Sequence, residues 1–154
     1  MAHTSSKIQI RRAEEKDAAR IADLCCQLGY PTTADEASRR FAALQEDAHH
    51  ALYVAVSAPD GVIGLIHVCV HRLLIAERQA EIESLVVDEG YRHRGVGRLL
   101  LAAAERWARQ QDCRAMMVRS NVVRQGVREF YEECGYRVLK AQWALLKNLP
   151  TYAD

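Results

Sequence analysis

Residues 91–98 read "YRHRGVGR": two glycines one residue apart, three arginines around them, and an apolar helical pattern immediately after. The first amides of a helix have no partner within it, and the helix dipole places partial positive charge at that end. Gly95 and Gly97 let a ligand approach the backbone without a side chain in the way. A helix start of this kind is an anion site, and phosphate is the usual anion. Arg92, Arg94 and Arg98 can add charge-assisted hydrogen bonds, although Arg98 can equally lie on the outer side of the first turn. Three phosphate motifs compete. A Walker A loop needs GxxxxGK[ST], which is absent. A dinucleotide fingerprint needs a third glycine, but Leu100 stands there, and Arg119 and Ser120 replace the acidic ribose partner about 20 residues on. Both departures argue against a nicotinamide cofactor. The remaining pattern, RxxGxG, is matched by Arg92, Gly95 and Gly97.

Other residues have chemistry to offer. Glu81 and Glu83 are two positions apart in a strand pattern, which places both carboxylates on one face with Leu85 and Val87. His67, Cys69 and His71 alternate in "HVCVH" and share a strand face. Neighbours on one face of a strand are about 7 Å apart, wide for shared tetrahedral coordination. They read as a polar sheet face or pocket floor, and no metal ligand set is assigned. His49 and His50 read as a surface pair.

The elements that must position these residues follow from periodicity. "IQIRRA" is a short strand, and "EEKDAARIADLCCQLGY" has helical spacing at Ala18, Ile21, Ala22, Cys25 and Leu28. Gly29 and Pro31 end that helix. Thr33 and Glu36 form a capping box for a second helix running to about Glu46. "ALYVAVS", "VIGLIHVCVHRLLI" and "AEIESLVV" are three consecutive strands, the hairpin neighbours of an antiparallel sheet. Val96, Leu99, Leu100, Ala103, Ala104, Trp107 and Ala108 form one helical stripe. "AMMVRS" is a strand that can lie parallel to "ESLVV" after a helical crossover. "VRQGVREFYEECG" is a helix, and "YRVL" and "WALLKNL" are closing strands. The expectation is a mixed α/β fold with a mostly antiparallel sheet of about seven strands and about four helices, as one domain over residues 1–154. The chain is 49% apolar and 27% charged with net charge +1, which indicates neither a membrane span nor a general nucleic-acid surface. The five cysteines lack CxxC spacing and are odd in number, so they read as reduced thiols of a cytoplasmic protein.

"ESLVVDEGYRHRGVGRLLLAAAERWA" resembles the acetyl-CoA-binding motif of the GNAT superfamily of N-acetyltransferases. "SNVVRQGVREFYEECGY" resembles that superfamily's second motif, and the likeness extends more loosely to "IRRAEEKDAARIADL". The resemblance implies a mixed sheet and acetyl transfer from acetyl-CoA to an amine by direct attack in a ternary complex. It implies that the backbone of Leu85, Val86 and Val87 pairs with the pantetheine arm like an added strand, and that a Val87-region amide faces the thioester. It implies that Arg92, His93, Arg94, Gly95, Val96 and Gly97 wrap the pyrophosphate, and that Asn121 contacts the pantetheine or adenosine side. It places Tyr131 as proton donor to the leaving thiolate, while the spacing of Val127, Phe130, Tyr131 and Cys134 equally allows a core aromatic. Attack requires a neutral amine, so a base must take its proton. Glu83, Glu81 or a water they hold can do so. Acidic residues Asp35, Glu36, Glu77, Glu81 and Glu83 suit a polycationic acceptor. An aminoglycoside antibiotic is the leading choice among small amines. Acetylation of a protein or peptide, or acyl-CoA binding without catalysis, are the alternatives, and a homodimer stays possible.

Overall fold

The computed structural model describes residues 7–121 and 126–152. The chain divides into two compact units, Met1–Arg119 and Ser120–Asp154.

The first unit contains β1 (Ile8–Arg12), α1 (Ala18–Leu28), α2 (Ala34–Gln45), β2 (His50–Ser57), β3 (Gly61–His71), β4 (Gln79–Val87), α3 (Val96–Gln110) and β5 (Ala115–Val118). Short 3-10 turns at Glu15–Asp17 and Glu89–Tyr91 precede α1 and α3. The strands lie in chain order, β1 to β4 antiparallel, with β5 parallel to β4 at the edge. The expected parallel pairing is therefore present, but along Gln79–Ile82, ahead of "ESLVV". Among the described residues, no helix is long and apolar enough to cross a membrane.

Each face of the sheet is covered by the amphipathic helix that the sequence supplies. Thr33 accepts from the Glu36 amide while Glu36 accepts from the Thr33 amide, so the capping box starts α2 as read. Ile21, Ala22 and Leu24 of α1 and Ala37 and Phe41 of α2 pack with Val54, Leu65 and Val86 of the sheet. On the other face lies α3, whose stripe is buried except at Leu99, which is 45% exposed. A Cβ at Gly64 would come within 3.0 Å of Leu100 Cδ1, so α3 sits this close to the sheet only because residue 64 is glycine.

The second unit contains α4 (Val127–Glu133). Among the described residues the sheet has five strands, not about seven. "YRVL" and "WALLKNL" form no strands, and Val138, Leu139, Trp143, Leu145, Leu146 and Leu149 are exposed. An alternating pattern marks which residues would share a face, but a strand exists only when a neighbouring backbone completes its ladder.

One polar junction ties α1 to the segment leading out of β4. Asp88 accepts from Arg20 Nη2 at 2.5 Å, Gln27 Nε2 at 3.1 Å and the Gly90 amide at 2.9 Å. The Gln27 and Arg20 hydrogen bonds hold its carboxyl down at about 2. A depressed carboxylate pKa stabilises the fold above the unfolded value and loses that effect as pH falls toward the folded one. Asp88→Asn is therefore expected to cost about 2 kcal/mol at neutral pH, read by urea denaturation. The difference from wild type should shrink between pH 4 and 2. A variant as stable as wild type at pH 7 would remove Asp88 as the anchor of this turn.

Candidate active site

Strand β4 delivers a backbone edge and then a helix start. β5 pairs with β4 only from Gln79 to Ile82. Among the described residues, no strand continues that ladder beside Glu83–Val87, so the Leu85–Val87 stretch is an open edge on the side away from β3, with Val87 O taken by Arg92 Nε. Unpaired strand backbone is a template for an extended ligand.

The chain then passes through Asp88 and the 3-10 turn to Gly95, which caps α3 in the left-handed conformation at φ 81°. His93 is also left-handed, at φ 63°. Two such residues in three positions curve the backbone strongly, as anion-binding nests do. Gly95 carries no side chain to cap the helix. The first helical bond here runs from the Leu99 amide to Gly95 O, so the helix itself cannot satisfy the amides of residues 95–98. A Cβ at Gly95 would meet nothing within 4 Å, which leaves open space over the helix start. Gly97, inside α3, is not among the positive-φ glycines.

Arg92, Arg94 and His93 are exposed around this turn, and Val96 is buried beneath it. Arg92 Nε donates to Val87 O at 3.1 Å, which closes the turn onto the end of β4. The Arg94 guanidinium lies 5.1 Å from the Tyr91 ring centroid. Tyr91 in turn meets Ser57 and Asp60 through its hydroxyl. Arg92 and Arg94, expected from the sequence as anion ligands, brace the loop in the structure.

The carboxylates are set by a bulge. His67 pairs with Ser84 and Val68 with Ile82, so Glu83 is an extra residue in β4. A bulge shifts the side-chain alternation. This corrects the expectation that Glu81 and Glu83 face the same way as Leu85 and Val87. Val86 joins the α1/α2 core, and Val87 pairs with Gly64 on the α3 face. Glu81 and Glu83 do share a face, because both meet His71, at Nδ1 (3.2 Å) and Nε2 (3.4 Å) respectively. Their environments differ. Glu81 is buried and paired with Arg119, whereas the Glu83 side chain is 40% exposed.

His67, Cys69 and His71 lie on that same face, as the alternation predicts. Cys69 donates to Glu83 Oε1 at 3.0 Å, and His71 Nε2 lies 3.1 Å from Cys69 Sγ. His50 is not a surface residue like His49. Its Nδ1 lies 2.9 Å from His67 Nε2. Burial and the neighbouring His50 push the His67 pKa down to about 4, so His67 is neutral at pH 7. Burial and the hydrogen bond to Glu83 push the Cys69 thiol up to about 12. From the sequence Asp88 carries no role, Arg119 stands only where a ribose-binding acid is absent, and His50 reads as surface. Their roles depend on pairing between elements far apart in the chain, which no local pattern encodes.

In the second unit, Tyr131 is buried on α4, with its ring edge-on to Phe130 and Tyr136 at 5.1 and 5.4 Å. Burial pushes its hydroxyl up to about 12, so it keeps its proton at neutral pH. Asn121 is exposed.

The comparisons with known proteins agree with this architecture. The family model described as acetyltransferase (GNAT) family matches residues 16–136. Aminoglycoside N(6')-acetyltransferase type 1 of Stenotrophomonas maltophilia is 28% identical over 131 residues, 82% of this chain and 84% of that protein. The aminoglycoside antibiotic 6'-N-acetyltransferase AAC(6')-Ih of Acinetobacter baumannii superposes with TM-score 0.82 at 19% identity, over 94% of this chain and 100% of that one. AAC(6')-Iy, solved in complex with the bisubstrate analog CoA-S-monomethyl-acetylneamine, gives TM-score 0.82 at 20% identity, also over 94% and 100%. With most of its length matched by one family and its fold shared with solved members, the chain belongs to the GNAT family of acetyltransferases.

Proposed function

We propose that this protein transfers an acetyl group from acetyl-CoA to a primary amine of a small molecule, with an aminoglycoside as the acceptor class, and that residues 1–154 act as one acetyltransferase domain. The observation that carries the reading is the run from an unpaired strand edge into a glycine-capped helix start. Leu85–Val87 offer backbone to the amide-rich pantetheine arm, and Arg92–Gly97 offer amides and guanidinium groups to the pyrophosphate. The two stand in the order in which the arm and the pyrophosphate occur along CoA. The aminoglycoside reading is supported by the curated relative and by exposed carboxylates at Asp35, Glu77 and Glu83. Glu36 and Glu81 contribute less to it, since Arg40 and Arg119 already pair with them.

The roles divide as follows. An amide near Val87 polarises the thioester carbonyl. Glu83 takes the amine proton, directly or through water, because it is the carboxylate of this face that solvent reaches. Glu81 is a positioning residue that holds His71 and Arg119. Tyr131 gives a proton to the departing thiolate, and Asn121 contacts the CoA arm.

Gly97→Val tests the CoA site. The Gly97 backbone is helical, and valine is at least as good as glycine in a helix, so the substitution carries no conformational penalty of its own. Its side chain should nevertheless obstruct the pyrophosphate. Calorimetry with CoA is expected to show at least tenfold weaker binding, about 1.4 kcal/mol, with unfolding midpoint unchanged. Unchanged affinity in the folded variant would overturn the CoA placement.

A further inference from the structure

Positions two apart on a strand face are about 7 Å apart at the backbone, yet the side chains of Cys69 and His71 on β3 converge, Sγ to Nε2 at 3.1 Å, and two ligands alone do not make a metal site. The bulge in β4 changes this by bringing a third ligand type to the same point. Cys69 Sγ lies 3.0 Å from Glu83 Oε1 and 3.1 Å from His71 Nε2, and His71 Nε2 lies 3.4 Å from Glu83 Oε1. All three ligand atoms fall within 4.8 Å of one another. Ligand bonds of 2.0–2.3 Å to a tetrahedral ion give ligand–ligand edges of about 3.3–3.6 Å, so small side-chain adjustments would complete the polygon.

We propose that Cys69, His71 and Glu83 bind a tetrahedral transition-metal ion of the Zn²⁺ class, with the fourth position open to water. Two further observations point to a cation at this spot. First, His71 Nδ1 faces the buried Glu81 carboxylate at 3.2 Å. That contact holds the ring, and in the tautomer whose Nδ1–H donates to Glu81 the Nε2 lone pair turns toward Cys69 and Glu83. It is the carboxylate–histidine arrangement that supports metal-bound imidazoles. Second, an imidazole nitrogen, a thiol sulfur and a carboxylate oxygen converge, and in that tautomer the thiol proton is the one proton among them. A metal ion replaces that proton, converting Cys69 to thiolate and releasing one proton to solvent. Sulfur, nitrogen and oxygen as a mixed set favour Zn²⁺ or Co²⁺ over Mg²⁺ or Ca²⁺. The partial exposure of Glu83 provides the entry path. The metal-bound state and the base role of Glu83 exclude one another, so the two belong to different states of the protein. The test of the metal site reads binding alone and is independent of the acetyl-transfer reading.

The probe is Co²⁺ added to purified, reduced, metal-free protein and followed by absorption. One equivalent should produce a thiolate-to-cobalt charge-transfer band together with the intense visible bands of tetrahedral Co²⁺, and Zn²⁺ should bleach both. Cys69→Ser should abolish the charge-transfer band, while Cys26→Ser, at an exposed cysteine, should keep it. Glu81→Gln, which leaves the three ligands in place, should weaken Co²⁺ binding 10–100-fold. X-ray absorption at the zinc edge of the wild-type protein provides an answer that needs no variant: one sulfur and two or three nitrogen or oxygen neighbours are expected. An all-oxygen or all-nitrogen shell, no charge-transfer band in the wild type, or a band that survives Cys69→Ser would overturn the site. In that case the three side chains form only a hydrogen-bonded cluster.

Discussion

Tyr131→Phe is expected to lower kcat roughly 100-fold while CoA affinity stays within twofold of wild type. The substitution keeps the ring that packs against Phe130 and Tyr136 and removes only the hydroxyl. A departing thiolate with no proton donor is a poorer leaving group, and the effect belongs to the transition state, so it appears in kcat. Burial holds the Tyr131 hydroxyl at about 12, well above the assay range. Its proton is therefore in place throughout pH 6 to 9, and the loss should be the same at every pH in that window. An unchanged kcat in a folded Phe variant would return Tyr131 to a packing role and leave water as the donor.

Glu83→Gln should show the opposite pH behaviour. Glutamine keeps the size and much of the hydrogen bonding of glutamate but cannot take a proton. At pH 6, where neutral amine is scarce, kcat/KM is expected to fall roughly 100-fold or more. Toward pH 9 the acceptor increasingly arrives without its proton, and the difference should narrow. A variant that raises KM with kcat kept would instead show Glu83 binding a cationic acceptor. Glu81→Gln discriminates further. Its carboxylate is buried between His71 and Arg119, so its loss should act through their positions, without the steep pH dependence of a missing base. A base-like profile in Glu81→Gln and a wild-type profile in Glu83→Gln would exchange their roles.

What the sequence reveals depends on how local the determinant is. The α3 stripe and the capping box at Thr33 are set by residues a few positions apart, and both are found where spacing places them apart from the exposed Leu99. The order of β2, β3 and β4 follows from short connections, and the parallel β5 from a helical crossover. The bulge at Glu83 is different. It arises from the register of two strands, and it reverses the facing of Leu85 and Val87 relative to Glu81 without leaving a mark in the alternation. The same holds for Arg119 on Glu81 and Arg20 on Asp88, pairs joined across 38 and 68 positions of chain. The C-terminal strands fail for a related reason: the pattern at residues 136–149 is present, but a pattern does not provide a partner strand.

The most direct test of the central claim is a thiol-release assay with acetyl-CoA and a panel of acceptors: an aminoglycoside, a simple polyamine and lysine-bearing or N-terminal peptides, with the product mass recorded. The account predicts acceptor-dependent release of CoA thiol, with one acetyl group added to an amine of the aminoglycoside and rates rising with pH. Release with peptides alone would move the acceptor to protein. Tight CoA binding with no thiol release for any acceptor would contradict catalysis and leave an acyl-CoA-binding module.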